Sequence, residues 1–248
     1  MILLVDAGNT RIKWRCLSDS GDGFIGPSAA GDIQDLRQVL EGCIPERIVV
    51  ACVRGRGFSD QLNDICRTCG AALPEYLVST KEGAGVTVAY PEPGRLGVDR
   101  YMAMVAAHHD VPGNTIVISC GTATTFDAIT ESGRHLGGVI IPGRESMAWC
   151  LSQIAETLPY ADEGEGVLFA TDTRDAIRGG TMLASVAAIE RISMDMASRM
   201  QGSVRVLLTG GGAPALLPRL SGGFTYLPDL VLRGMAIMVA AGAEESRQ

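Results

Sequence analysis

At 248 residues the chain is long enough for one large domain or two small ones. Apolar residues at 46% and charged residues at 20% support a packed core and exclude a disordered chain, and with aromatics at only 5% that core falls to Val, Ile, Leu, Ala and Met. The 21 basic and 28 acidic side chains leave a net charge of −7, which argues against broad nucleic-acid binding but leaves room for a local phosphate site.

Taken in order, the pattern predicts a strand over Ile2 to Val5, a turn at Asp6-Ala7-Gly8-Asn9-Thr10 and a second strand from Arg11 to Leu17. A glycine-rich loop is expected from Gly21 to Gly31, then a helix over Ile33 to Leu40 and a buried strand over Ile48 to Val53. Ser59 is the expected cap of a helix running to Cys69, followed by a short strand at Tyr76 to Val78. Lys81 to Gly97 reads as loop, and Val98 to His109 as a helix with Met102, Val105 and Ala106 inward. The pattern then restarts: strand Thr115 to Ser119, turn at Gly121, strand Thr124 to Ile129, strand Leu136 to Ile141. Helix is expected over Ser146 to Leu158 and Asp175 to Met200, strand over Val204 to Leu208, and a closing helix over Asp229 to Glu244. Asp6-Ala7-Gly8 and Ser119-Cys120-Gly121 align at an offset of 113. The shared order of elements predicts two similar α/β lobes, residues 1–112 and 113–248, with a boundary near Pro112-Gly113 and a ligand cleft between them.

Gly234 to Ala243 is apolar but covers about half the ~20 residues of a membrane span. Asp6 interrupts the first apolar run, so no secretory signal is expected, and the seven cysteines read as reduced thiols in the cytoplasm. Cys66 and Cys69 form a C-x-x-C without a second pair, which favours core packing over a metal site. His108 and His109 close a helix, where cations are favoured, and the Met-rich face from Met182 to Met200 reads as core or subunit interface.

Four segments have residue types suited to chemistry. Asp6 to Lys13 offers turn N–H groups for phosphate oxygens, the Thr10 hydroxyl, the cations Arg11 and Lys13, and a carboxylate at Asp6 for Mg²⁺, directly or through water; a plain hairpin accounts for it equally. Gly121-Thr122-Ala123-Thr124-Thr125 is its counterpart, with a polar turn as the alternative. Gly97-Val98-Asp99-Arg100 sets a carboxylate at a helix start, where it suits a kinase base, and a guanidinium for an acidic substrate group; a local ion pair is the alternative. Thr209-Gly210-Gly211-Gly212-Ala213 follows a strand and leaves only backbone to face an adenosine or a phosphate, with Gly210 and Gly211 the candidate contacts and a flexible strand-to-helix turn as the alternative. Neither the P-loop nor the Rossmann fingerprint is present.

The paired turns resemble the phosphate hairpins of the acetate kinase, sugar kinase, Hsp70 and actin superfamily. Together with Tyr90 before a proline, Gly97 to Arg100, Gly137-Gly138 through Pro142-Gly143, and Asp172-Thr173, they resemble the type III pantothenate kinases, also called Bvg accessory factor-like. The resemblance implies two ribonuclease H-like, actin-like ATPase lobes, a homodimer, and ATP-dependent phosphorylation of pantothenate to 4′-phosphopantothenate, the first step towards coenzyme A. By the same resemblance Asp6, Ala7, Gly8, Asn9, Thr10, Arg11, Ile12 and Lys13 would bind ATP phosphates with Mg²⁺, and Thr122 would touch ATP. Asp99 would accept the proton, and Tyr90, Gly97, Val98, Arg100 and Thr173 would hold pantothenate, Thr173 from the partner subunit. Ser119 stands where many members carry an Asp that binds a monovalent cation, so K⁺ or NH₄⁺ dependence is open. Two other readings stand beside this one: another small-molecule kinase of the superfamily, or a non-catalytic ATP-binding regulator.

Overall fold

A computed structural model describes residues 1–18, 23–155, 157–161, 164 and 166–245. The chain divides into two compact units: the first holds Met1–Pro112, Ser132–His135 and the segment from Asp229, the second Gly113–Glu131 and Leu136–Pro228. A single cut at Pro112-Gly113 therefore misassigns the closing helix, which packs with the first unit.

In the first unit, β1 (Ile2–Ala7) and β2 (Ile12–Leu17) form an antiparallel hairpin in the register Asp6↔Lys13 and Ala7↔Ile12. The Gly21 to Gly31 segment is not all loop: Gly21 lies outside the described residues, and Phe24–Gly31 forms β3, antiparallel to β2. Its glycines are compatible with an edge strand, where side-chain packing matters little. Next come α1 (Ile33–Gly42), closed at its start by an Asp32/Asp35 capping box, and β4 (Arg47–Cys52), parallel to β1. Then α2 (Arg56–Cys69) starts from Gly55, so Ser59 sits inside its first turn rather than at the cap. The sheet order is β3-β2-β1-β4-β5, with β5 only Glu75–Tyr76. A small ladder of β6 (Glu82–Gly83) and β7 (Val86–Thr87) interrupts the expected loop before α3 (Val98–Asp110).

Leu3, Val5 and Ala7 of β1 meet Ile48 and Val50 of β4 beneath Leu36, Leu40, Phe58 and Leu62 of the two flanking helices. Alternate strand residues point to opposite faces, and Ile2 and Leu4 are buried too, because helices cover both faces of this sheet. One consequence is that α3 is buried on every side from Arg100 to Ala107, not on the single face that Met102, Val105 and Ala106 suggest.

The second unit repeats the plan. β8 (Asn114–Cys120), β9 (Ala123–Ile129) and β10 (His135–Pro142) are followed by α4 (Arg144–Ile154) and the long α5 (Thr173–Ala197), whose start is capped by Asp172. Then β11 (Val204–Thr209), the single turn α6 (Ala213–Leu216) and β12 (Phe224–Tyr226) complete the order β10-β9-β8-β11-β12. This matches the first sheet position for position and is the ribonuclease H-like arrangement. Finally α7 (Leu230–Glu245) returns to pack on α3 and β1.

Candidate active site

In the first unit the β1–β2 hairpin is held at its tip. Gly8 allows the tight turn, since a Cβ there would lie 3.2 Å from Arg11 O. The Gly8 carbonyl accepts a hydrogen bond from Arg54 Nε at 2.6 Å, and the Arg54 guanidinium lies over the Phe58 ring. Asn9, Thr10 and Arg11 are exposed, whereas Ala7 and Ile12 are fully buried. Those two residues can meet a ligand only through backbone atoms; their side chains belong to the core.

Asp6 lies at the end of β1, directly across from Lys13. Some of its surface stays open, yet the carboxyl sits deep among protein atoms, and its pKa is pushed up to about 7. Burial is the largest cause, the negative charge of Asp99 the next, and Asp229 adds to it, while the Lys13 ammonium pulls the other way. Asp6, Lys13, Asp99 and Asp229 thus converge although they are far apart in sequence. Asp229 is a residue that sequence reasoning placed merely at a helix start. Its carboxylate pairs with Lys13 Nζ at 3.5 Å and accepts a hydrogen bond from Ser28 Oγ.

Asp99 lies in the first turn of α3, half-buried, with one oxygen accepting from the Arg100 N–H at 2.8 Å. Gly97 caps this helix, and a Cβ there would come 2.6 Å from Asp99 Oδ1, so the glycine makes room for the carboxylate. Arg100 is buried, donates to Tyr90 Oη at 3.2 Å and lies near the Tyr90 ring. On its other side Tyr90 stacks with His135, whose centroid is 6.1 Å away, and His135 is also buried. Val98 is core. Tyr90, Gly97, Asp99 and Arg100 are therefore assembled around one helix start. His135 joins them through tertiary packing, which left no signal in the sequence.

In the second unit the β8–β9 turn is tied down from two sides. Gly143 N–H and Ser146 Oγ both donate to the Thr122 carbonyl, at 2.9 and 2.6 Å, leaving the Thr122 side chain exposed. Gly210 has φ +93° and packs so closely on Cys120 that a Cβ would fall 2.3 Å from its carbonyl oxygen; Gly212 N–H donates to the same oxygen at 3.0 Å. Gly211 between them is exposed with nothing within 4 Å of a built Cβ. Thr122, Gly210 and Gly211 accordingly share one end of this sheet. Ser119 pairs in parallel register with Thr209 and in antiparallel register with Thr125. Thr173 is exposed as the first residue of α5, next to the Asp172 cap.

The described residues contain no group of three or more His, Cys, Asp or Glu side chains arranged to hold a metal ion. A cation of the Mg²⁺ kind keeps several waters and takes one or two carboxylates plus substrate phosphates. Asp6 fits this role, since a nearby cation would relieve the unfavourable burial of its charge. All seven cysteines are free thiols, with Cys66 and Cys120 buried and pushed up to about 11 and about 12 by that burial. No helix among the described residues is long and apolar enough to cross a membrane.

Residues 2–195 match the family model described as type III pantothenate kinase. The type III pantothenate kinase of Nitrosococcus oceani is 38% identical over 247 residues, covering 95% of this chain and 92% of its own. That of Laribacter hongkongensis is 36% identical, covering 95% and 97%. Among solved structures, a Campylobacter jejuni protein named for the Baf family of transcriptional activators aligns over 99% of this chain and 100% of its own, with a TM-score of 0.59 at 21% identity. The activator of 2-hydroxyisocaproyl-CoA dehydratase from Clostridium difficile, solved with ADPNP, covers 99% and 96% with a TM-score of 0.53 at 13% identity. At these identities the structural matches establish the fold alone.

Proposed function

The chain belongs to the type III pantothenate kinase family and is an ATP-dependent pantothenate kinase, and from that premise we propose how its residues divide the work. The observation that carries the reading is near-full-length relatedness to curated enzymes of this one activity, joined to a carboxylate in the first turn of α3.

The reaction moves a γ-phosphoryl group from ATP to a neutral primary alcohol. Negative charge spreads over the phosphoryl oxygens in the transition state, so catalysis is mostly positioning and electrostatic stabilisation. Backbone N–H groups of the Gly8 to Thr10 turn, with Arg11 and Lys13, hold the phosphates. Thr122 and the open backbone at Gly210 and Gly211 serve the rest of the nucleotide. Asp6 would hold Mg²⁺, directly or through water, and the ion would supply neutralisation of phosphate charge when bound with ATP. Asp99 orients the pantothenate hydroxyl and takes its proton as the oxygen–phosphorus bond forms and the bond to ADP breaks. A base of this kind contributes about 10²–10⁴-fold. Arg100, steadied by Tyr90, pairs with the pantothenate carboxylate, and Gly97 and Val98 shape the same helix start.

The reading extends to a homodimer with Thr173 serving the partner's substrate site. It is supported by apolar side chains left exposed on the second unit: Leu136, Val139 and Ile140 on β10, Trp149 on α4, Leu183 and Met194 on α5. Seven free thiols fit the cytoplasm. At Ser119 a neutral hydroxyl makes any monovalent-cation site depend on backbone carbonyls.

The test is a coupled ADP-release assay with and without pantothenate, under varied K⁺ and NH₄⁺. Pantothenate-dependent turnover is expected. ATP binding without it would favour a regulatory protein, and turnover only with other alcohols would favour a different kinase.

A further inference from the structure

We infer that Asp229 is a positioning residue for the nucleotide site: its carboxylate holds the Lys13 ammonium in place to receive the phosphates. The inference rests on the reading of the β1–β2 hairpin as the phosphate site.

Four features converge on Asp229. First, its two carboxylate oxygens have separate partners on adjacent strands. Oδ1 faces Lys13 Nζ on β2 at 3.5 Å, and Oδ2 accepts from Ser28 Oγ on β3. A carboxylate held at both oxygens presents a fixed direction to the cation. Second, the pair is sheltered. The side chains are 29% exposed at Lys13 and 18% at Asp229, so water and salt screen it less than a surface ion pair.

Third, the backbone at Asp229 has φ +58°; only Ala84 shares such a value among described non-glycine residues. Glycine would take this conformation at no steric cost, but would bring no carboxylate. Asp and Asn are among the few other residues that tolerate it. Fourth, Asp229 is the residue at which the chain rejoins the first unit, and its carbonyl accepts from Arg233 N–H at 3.0 Å to start α7. The carboxylate is therefore anchored by a helix packed on α3 and β1 rather than by a loose loop.

The physical gain lies in Lys13. A lysine has a flexible four-carbon stem and loses rotamer freedom when its ammonium is fixed. Pairing with Asp229 makes part of that loss before any nucleotide arrives. An ammonium has three donors, so it can keep Asp229 and still offer N–H to a phosphate oxygen. Lys13 is one of only two lysines in the chain, and it lies directly across from Asp6, the residue assigned to Mg²⁺.

A double-mutant cycle of wild type, Asp229→Asn, Lys13→Met and the double variant tests this. The amide retains an acceptor and the tolerance for positive φ but not the charge, so folding is spared. Affinity for a non-hydrolysable ATP analogue with Mg²⁺ is measured by calorimetry, melting temperature separately, and ADP release in parallel. Asp229→Asn should weaken analogue binding about 3- to 10-fold, the size expected when a charge-assisted hydrogen bond becomes a neutral one. Melting should stay within about 2 °C, well under the shift expected from a lost core contact. In the Lys13→Met background the same change should cause no further weakening. Equal weakening in both backgrounds, unchanged affinity in the wild-type background, or lowered melting without an affinity change would each overturn the inference. Analogue binding with intact coupling but no pantothenate-dependent ADP release would overturn the kinase reading while upholding this one; a wild-type protein that does not bind the analogue would overturn both.

Discussion

Gly234 marks the closest approach of α7 to α3, and Gly234→Ala should destabilise the protein although it improves helix propensity. A Cβ at this position would lie 1.9 Å from the Met102 carbonyl oxygen and 2.6 Å from its carbon, where ordinary contact begins near 3.4 Å. The obstacle is backbone, which cannot rotate aside, so the helices must separate by about 1.5 Å at the crossing, within a core where buried groups have little slack. Met102 and Met235 are fully buried beside it. Overpacking of this kind costs about 1–3 kcal/mol, occasionally more, against about 1 kcal/mol gained from propensity. A net loss of about 1 kcal/mol corresponds to a melting temperature lowered by about 2–4 °C in a chain of this size. Gly242→Ala in the same helix meets nothing within 4 Å and should be neutral or slightly stabilising. Urea and thermal unfolding of the two variants beside wild type make the comparison. Because α3 begins at the Asp99 turn and α7 at Asp229, Gly234→Ala should lower kcat and raise KM for ATP together. A Gly234→Ala protein more stable than wild type would refute the close packing of α7 on α3.

Asp99→Asn should collapse kcat by about 10²–10⁴-fold with ATP affinity nearly unchanged, read from steady-state kinetics beside calorimetry; an active variant would remove Asp99 as the base. Asp6 carries a pH signature. Between about pH 4 and 7 the folded, metal-free chain holds a proton on Asp6 that the unfolded chain has released, so stability should fall as pH rises through that window and level off above it. Asp6→Asn should remove this slope, gaining roughly 2 kcal/mol over wild type at pH 8 in a chelator after allowance for the water that reaches the carboxyl, and nothing at pH 3. Parallel slopes in urea titrations of the two proteins would show that Asp6 ionises normally. Ser119→Asp should increase the response of turnover to K⁺, and an unchanged K⁺ titration would count against a cation site at that position.

Local chemistry carried much of the architecture into the sequence. The strand–turn–strand openings at Asp6 to Thr10 and Ser119 to Thr125 were legible because turn residues and alternating burial act over a few residues, and the repeated order followed from them. The start of α3 at Gly97 to Arg100 was legible for the same reason. Boundaries set by neighbours were not. β3 forms from a glycine-rich stretch because β2 offers it a hydrogen-bonding edge, and α3 is buried all round because α7, more than a hundred residues later, covers its second face.

The residues proposed for the phosphate and substrate sites divide the same way. Asp6, Lys13, Asp99 and Arg100 were visible as residue types in suitable local settings, but Ala7 and Ile12 turned out to be core, contributing backbone alone. Asp229, Arg54 and His135 carried no local sign, since an ordinary helix start, a strand end and a loop histidine look alike in any sequence. Sequence determined the elements, the turns and the chemical groups on offer, because those depend on short-range sterics and hydrogen bonding. Only the tertiary structure decided which carboxylates share one electrostatic environment, because Coulomb interaction and desolvation depend on distance in space, and nothing in the chain order brings residue 229 to residue 13.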